Sequence, residues 1–177
     1  MATLNVSYMH AELSVGIDVT KQTAGTTNDF TGGEWQAGSQ ARGSDGSLWM
    51  YAQANEAVAS IGMAVAIDET GQMLKLTAAL ALAGHRIGFV QAAFLDNAMG
   101  WVLLDSGRSN AYVLYALSSA VADIMLMTSA TAGALDDAYT TFVPLLGVVL
   151  VSAGTTTVAC TAIIRAPVLA YLRTSGV

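Results

Sequence analysis

From Gly46 onward the chain alternates apolar and polar positions in short runs divided by glycine-bearing turns, a pattern of strands rather than long helices. After the turn "GSDG", the run "SLWMYAQA" places Leu48, Met50 and Ala52 on one face and Trp49, Tyr51 and Gln53 on the other. "GMAVAIDETGQMLKLT" predicts a hairpin. Met63, Val65 and Ile67 share a face, Asp68 to Gly71 make the turn, and Met73, Lys75 and Thr77 alternate with Leu74 and Leu76. The Ala-rich "TAALALAG" fits a helical turn, though periodicity alone does not settle it. "HRIGFVQAAF" and "MGWVLLDSG" predict two neighbouring strands around "LDNA", and "NAYVLYAL", "DIMLMTS", "GALDD", "VPLLGVVLV" and "TTVACTAII" complete the series.

One stretch, "GFVQAAFLDNAMGWVLLDSG" from Gly88 to Gly107, is apolar on both strand faces. Trp101 and Leu103 point opposite to Val102 and Leu104, so one pair fills a core while the other needs a cover from outside, which is a local hint of assembly. An internal repeat also shows. "IGMAVAIDETGQML" followed by "HRIGFVQA" matches "VADIMLMTSATAGAL" followed by "PLLGVVLV", with Gly71 and Gly133 62 positions apart and Gly88 and Gly147 59 apart. The match supports a barrel or sandwich with related halves.

Residues 1–43 differ from the rest. "TKQTAGTTNDFTGGEWQAGSQARGSDG" is rich in Gly, Thr, Ser, Asn and Gln, and Trp35 is its one large anchor. Such a segment orders only against something else, and it fits either a docking arm or an unanchored terminus. The expected organisation is an extended arm over 1–43 and a β-barrel domain over 44–177.

Composition sharpens the hint of assembly. Of 177 residues 54% are hydrophobic and only 11% charged, against roughly 25% charged in an ordinary soluble domain. Something other than water is expected to cover part of the surface, whether a second copy, another protein or a bilayer. Residues 138–164 carry no charge, but their continuous apolar core, Phe142 to Val151, is about half the ~20 residues a spanning helix needs. "SAGTTT" reads as a turn, so a strand, turn and strand is expected there and no membrane partner. A net charge of -6 offers no footprint for nucleic acid. The amino terminus, "MATLNVSYMHAELSVG", has no basic segment followed by an apolar stretch, so no secretory signal is expected.

Candidate chemistry is thin. Cys160 is the sole cysteine and reads as a small core residue. His10 and His85 are 75 positions apart in no ligand spacing, so neither metal nor cofactor is expected. Ser106, His85 and Asp105 contain the residue types of a triad, but neighbours on one strand point to opposite faces and no GxSxG elbow is present. The pairs Asp68-Glu69 and Asp136-Asp137 stand beside glycines in expected turns, where both carboxylates of a pair meet the same solvated environment rather than the unlike ones acid-base chemistry requires. No phosphate-cradling motif occurs. The expected protein is not an enzyme but a structural or binding protein. Trp35, Trp49, Tyr51 and Trp101 are the candidate interface residues, with Tyr112 and Tyr115 completing the set of strand aromatics.

"GEWQAGSQARGSDGSLWMYAQANEAVASIGMAVAID", "GHRIGFVQAAFLDNAMGWVLLDSGR", "DIMLMTSATAGALDD" and "LLGVVLVSAGTTTVACTAII" together resemble the capsid cement, or head decoration, proteins of tailed bacteriophages, over roughly three quarters of the chain. The resemblance implies an all-β fold, a small β-barrel or β-tulip-like domain with an extended N-terminal arm. It also implies a place on the outer surface of the virion capsid, with the major capsid protein as partner and self-association as a homotrimer or dimer. Its shared elements are structural, not catalytic. A second expectation of the same β-rich, non-catalytic kind is a phage tail tube, fibre or receptor-binding protein.

Overall fold

The structure is a computed structural model that describes residues 23–24, 35–116, 124–137, 143–152 and 159–169. Most of residues 1–34, including His10, therefore lie outside the described residues. The described chain is all-β apart from one short helix. Its strands are β1 (Thr23–Ala24), β2 (Gln40–Arg42), β3 (Leu48–Ala54), β4 (Ala64–Ile67), β5 (Gln72–Lys75), β6 (Arg86–Val90) and β7 (Ala98–Asp105), followed by β8 (Ala111–Leu114), β9 (Met125–Thr128), β10 (Leu135–Asp136), β11 (Pro144–Leu150) and β12 (Ala159–Leu169). The Ala-rich run is helix α1 (Ala78–Leu82), begun by Thr77, whose hydroxyl accepts from the Leu80 N–H at 3.2 Å.

These strands form two rings with the same connectivity. In the first, β3 pairs with β5 in parallel, β5 with β4, β4 with β6, β6 with β7 and β7 back with β3, all but the first antiparallel, so a barrel of five strands closes. In the second, β9 joins β10 to β11, β11 pairs with β12 and β12 with β8, all antiparallel. The parallel bridge Tyr115–Leu135 completes that ring, with the Ala116 N–H donating to the Leu135 carbonyl at 2.8 Å. Strand for strand, β3 to β7 correspond to β8 to β12. The chain is an internal repeat.

Register fixes the equivalent positions. Tyr51 opposes Trp101 and Tyr112 opposes Thr161; Ala54 meets Met73 in parallel, as Tyr115 meets Leu135. Gly71 and Gly133 correspond, as their sequence context suggested, but Gly88 and Gly147 do not. Gly88 opposes Val65 on β4, whereas the matching residue of β9, Leu126, opposes Leu145. Gly147 lies in a bulge of β11, at φ 83°, where an added Cβ would come 2.2 Å from the Arg165 carbonyl oxygen.

Alternation decides what each strand buries. Met50, Ala52, Val65, Ile67, Met73, Val90, Val102 and Leu104 point into the first barrel, closed at one end by the Val58–Phe94 bridge. The opposite faces of β4, β6 and β7, carrying Ala64, Ala66, Ile87, Phe89 and Leu103, join Val113, Leu126, Leu145, Leu150 and Ile164 of the second repeat in one continuous cluster. Full burial of each such aliphatic side chain is worth roughly 1.5–3 kcal/mol. Both faces of β4 and β7 are thus spent within this chain, which explains their unbroken apolar composition.

Polar contacts close the joint. Gly62 passes its carbonyl to the Leu114 N–H at 2.7 Å and donates its own N–H to Val90 at 2.7 Å. Ser106 donates its backbone N–H to the Ile164 carbonyl at 2.9 Å, and its hydroxyl accepts from the Ile164 N–H at 3.1 Å. Within residues 138–164 the described parts are strands β11 and β12, and among the described residues no helix is long and apolar enough to cross a membrane.

Candidate functional site

The repeat makes two outward faces comparable. In the first repeat, the outward row of β3 and β7 holds Tyr51, Met99 and Trp101, and it is covered by the chain's own N-terminal part. β2 pairs antiparallel with β3, and Ala41 from β2 is buried in the same cluster. The Tyr51 N–H donates to the Ser39 carbonyl and the Tyr51 carbonyl accepts from the Gly38 N–H, both at 2.8 Å. Trp35 lies over Trp101 with ring centroids 5.8 Å apart, and Tyr51 meets Trp101 edge-on at 5.3 Å. β1 adds to β7 at Met99 and Ala98.

The second repeat has the same row, with no such cover among the described residues. Tyr112 on β8 opposes Thr161 on β12, and the Val151 N–H donates to the Thr161 carbonyl at 2.9 Å, so Tyr112, Thr161 and Val151 line up across three strands. One step along, Val149 opposes Ile163. Tyr112, Val149 and Val151 are 49%, 40% and 43% exposed, and Thr161 and Ile163 are half-buried. None of the five is charged. The backbone of Tyr112 is nevertheless satisfied as that of Tyr51 is. The Gln91 side-chain amide accepts from the Tyr112 N–H at 2.9 Å and donates to its carbonyl at 3.1 Å, standing in for a neighbouring strand.

Of the residues singled out from sequence, Trp35, Tyr51 and Trp101 come together. Trp49 packs at their border and donates its indole N–H to the Ser47 hydroxyl at 2.8 Å. Tyr51 and Trp101 are only 2% and 4% exposed. Their aromatic surface is covered within this chain by Trp35 and β2. The exposed counterpart, Tyr112, was not put forward as an interface residue. Its signal was the repeat, which pairs it with Tyr51 once register is known.

The titratable residues separate. The Asp68 carboxylate accepts from the Thr70 and Gln72 N–H groups, both at 2.9 Å, as a turn former does. Asp136 is different from expectation: it belongs to β10 and is buried, accepting from the Asp137 N–H at 2.7 Å, because β10 is tucked against β9 rather than standing at a loop tip. Asp137 accepts a hydrogen bond from the Tyr115 hydroxyl; burial first, then this carboxylate, pushes the Tyr115 phenol well above its ordinary range. Burial likewise raises the Cys160 thiol. The Ser106 hydroxyl is engaged by Ile164 and Arg165, Arg165 also reaches Asp105 at 3.7 Å, and among the described residues no hydrogen bond joins His85 to Ser106 or Asp105.

His85 instead lines a groove of about 1040 Å³ at the open end of the first barrel, with Gln40, Glu69, Leu82, Arg86 and Val168. Its floor is shut by Met50, Ile67 and Leu104, all buried, and the Arg86 guanidinium rests 3.9 Å from the Met50 sulfur. Among the described residues no group of three or more His, Cys, Asp or Glu side chains could hold a metal ion. Set against models of protein families, characterised proteins and solved structures, the chain matches none, so the arrangement of its own residues carries the functional reading.

Proposed function

We propose that this chain is a structural virion protein that binds the exterior of a tailed-phage capsid and cements its major capsid protein lattice. The supporting observation is the contrast between the two equivalent faces. The first is sealed by Trp35 and β2, whereas the second presents the uncharged row of Tyr112, Val149 and Val151 beside a backbone already satisfied by Gln91. A firm two-ring body with one sheet face left for a neighbour suits a protein that works by position in a lattice, where many modest contacts add through effective concentration. The low charge of the chain and its sequence resemblance to decoration proteins support the same reading.

Such a role asks for no reacting group. It places the chain on the outer surface of the particle, in contact with the major capsid protein and with further copies of itself, as a trimer or dimer. The test is co-sedimentation of the purified chain with expanded capsids of the phage that encodes it. Saturable binding and a higher capsid melting temperature are expected; a chain that stays in the supernatant at all concentrations overturns the proposal.

A further inference from the structure

The first barrel ends on one side in a free sheet edge. β5 and β2 share the side of β3 that faces away from β7, β5 pairing at Gln53 and Ala54 and β2 at Leu48 to Met50. β2 is the last strand of that sheet. Its bonds to β3 fall at alternate residues, with the Tyr51 N–H on the Ser39 carbonyl at 2.8 Å and the Gly43 N–H on the Ser47 carbonyl at 2.9 Å. In an antiparallel pair the residues between bonded positions turn their N–H and C=O groups the other way. Those of Gln40 and Arg42 therefore point out of the sheet, where no described strand pairs with them. This edge borders the groove at the open end of the barrel. Gln40 stands opposite Met50, so both side chains lie on the face that lines the groove. The Arg86 guanidinium crosses from β6 to rest 3.9 Å from the Met50 sulfur, and among the described residues no carboxylate pairs with it. Leu82 and Val168 leave large apolar side chains exposed on the rim.

We propose that the outer edge of β2 accepts an extended peptide segment of another protein as an added strand, with an acidic side chain paired to Arg86 and apolar side chains on either side of it. The free backbone groups of Gln40 and Arg42 specify the extended backbone, because a strand meets an N–H and a C=O at every second residue. Arg86 specifies the acid: its present partner, a thioether sulfur, is a weak acceptor, and a carboxylate is a strong one. The position opposite Gln40 on an added strand lies two strand spacings, about 10 Å, from Met50, and the Arg86 side chain already reaches Met50. Leu48, Met50, Leu82 and Val168 specify the apolar neighbours, since alternate side chains of the added strand lie over the groove. Of the carboxylates on the groove, Asp68 is held by the Thr70 and Gln72 N–H groups, and Glu69 stands on the same turn. That turn bounds the site, for Gly71 fits so closely on Ala37 and Gly38 that an added Cβ would come within 2.9 Å of both. The surface involves none of Tyr112, Val149 and Val151, and it does not rest on the capsid role.

The probe is a terminally blocked peptide of alternating threonine and valine with a central glutamate, TVTETVT, titrated into the isotope-labelled full chain and followed by NMR. Saturable binding is expected, with the Gln40 and Arg42 amide resonances moving and their hydrogen exchange slowing. Glutamine in place of the glutamate should weaken binding at least about threefold, and Arg86→Gln should erase that difference while the chain still melts cooperatively. Of two peptides N-methylated at alternate residues, one should lose binding and the other keep it, because only one row of amides faces β2. No saturable binding, shifts centred on Tyr112, Val149 and Val151, equal affinity for the glutamate and glutamine peptides, or the same behaviour from both methylated peptides overturns the proposal. Binding that appears only after deletion of residues 170–177 also overturns it, by making this chain's own end the occupant. So does a native mass above one chain that falls with Arg42→Pro, which would make the occupant a second copy.

Discussion

Tyr51 and Tyr112 occupy one position of two repeats: Tyr51 opposes Trp101 across β3 and β7 and is 2% exposed, while Tyr112 opposes Thr161 across β8 and β12 and is 49% exposed. The backbone of each is satisfied, one by Gly38 and Ser39, the other by the Gln91 amide. Covering has therefore diverged where pairing has not. This separates a stability role in the first repeat from a surface role in the second.

Trp101→Ala removes an indole held between Trp35 and Tyr51, at an expected cost of about 3–5 kcal/mol. Tyr112→Ala, at the exposed counterpart, should change stability within about 0.5 kcal/mol. Denaturant melts of the two variants compare them directly. Equal costs would contradict the assignment of one face to the interior and the other to the surface.

Gly62→Ala tests the joint between repeats. Gly62 sits at φ 82°, and an added Cβ would stand 2.7 Å from the Leu114 nitrogen and 2.8 Å from the Val113 carbonyl carbon, both backbone atoms that cannot swing away. The substitution combines left-handed strain, on the order of 1–3 kcal/mol, with displacement of β8 from the first repeat. Faster amide exchange at Leu114 than at Val90 is the expected signature.

Gln91→Ala leaves the Tyr112 N–H and carbonyl without their amide partner. Since Tyr112 is half open to water, the loss should be modest, about 0.5–1.5 kcal/mol. Gln91→Glu keeps the acceptor for the N–H but loses the donor to the carbonyl. Its stability is expected to fall between those of Gln91→Ala and wild type in urea melts.

Alkaline pH reports on Tyr115. In the unfolded chain its phenol ionises near pH 10, whereas in the fold burial and the Asp137 carboxylate hold it protonated to higher pH. Above pH 10 the unfolded state releases a proton that the folded state keeps, so stability is full below that pH and falls as pH rises. Tyr115→Phe should make the alkaline decline shallower, measured by melting temperature between pH 8 and 11, at the cost of the hydrogen bond to Asp137.

Much of the architecture was legible in the sequence because strand alternation and turn residues are local. "SLWMYAQA" divided correctly into an inward face of Met50 and Ala52 and an outward face of Trp49, Tyr51 and Gln53, and Asp68 formed the turn its neighbours implied. The equivalence of Gly71 and Gly133 was visible for the same reason. The expected barrel is present, but which strands close it was not legible, since the parallel pairing of β3 with β5 joins residues with no local signal between them. Nor could the faces be told apart. Trp101 and Tyr112 carry the same strand-aromatic signal in sequence, and only the structure shows Trp35 lying on Trp101 while Tyr112 is 49% exposed. Asp136 looked solvated because the short strand β10 resembles a turn in sequence.

The proposed capsid role is tested most directly by cryo-electron microscopy of tailed-phage particles assembled in cells that make this chain. The account predicts density for two joined β-rings on the capsid exterior, with the Tyr112, Val149 and Val151 face turned toward a neighbouring protein of the lattice. A capsid exterior without such density, or the same rings found in the tail, would contradict it.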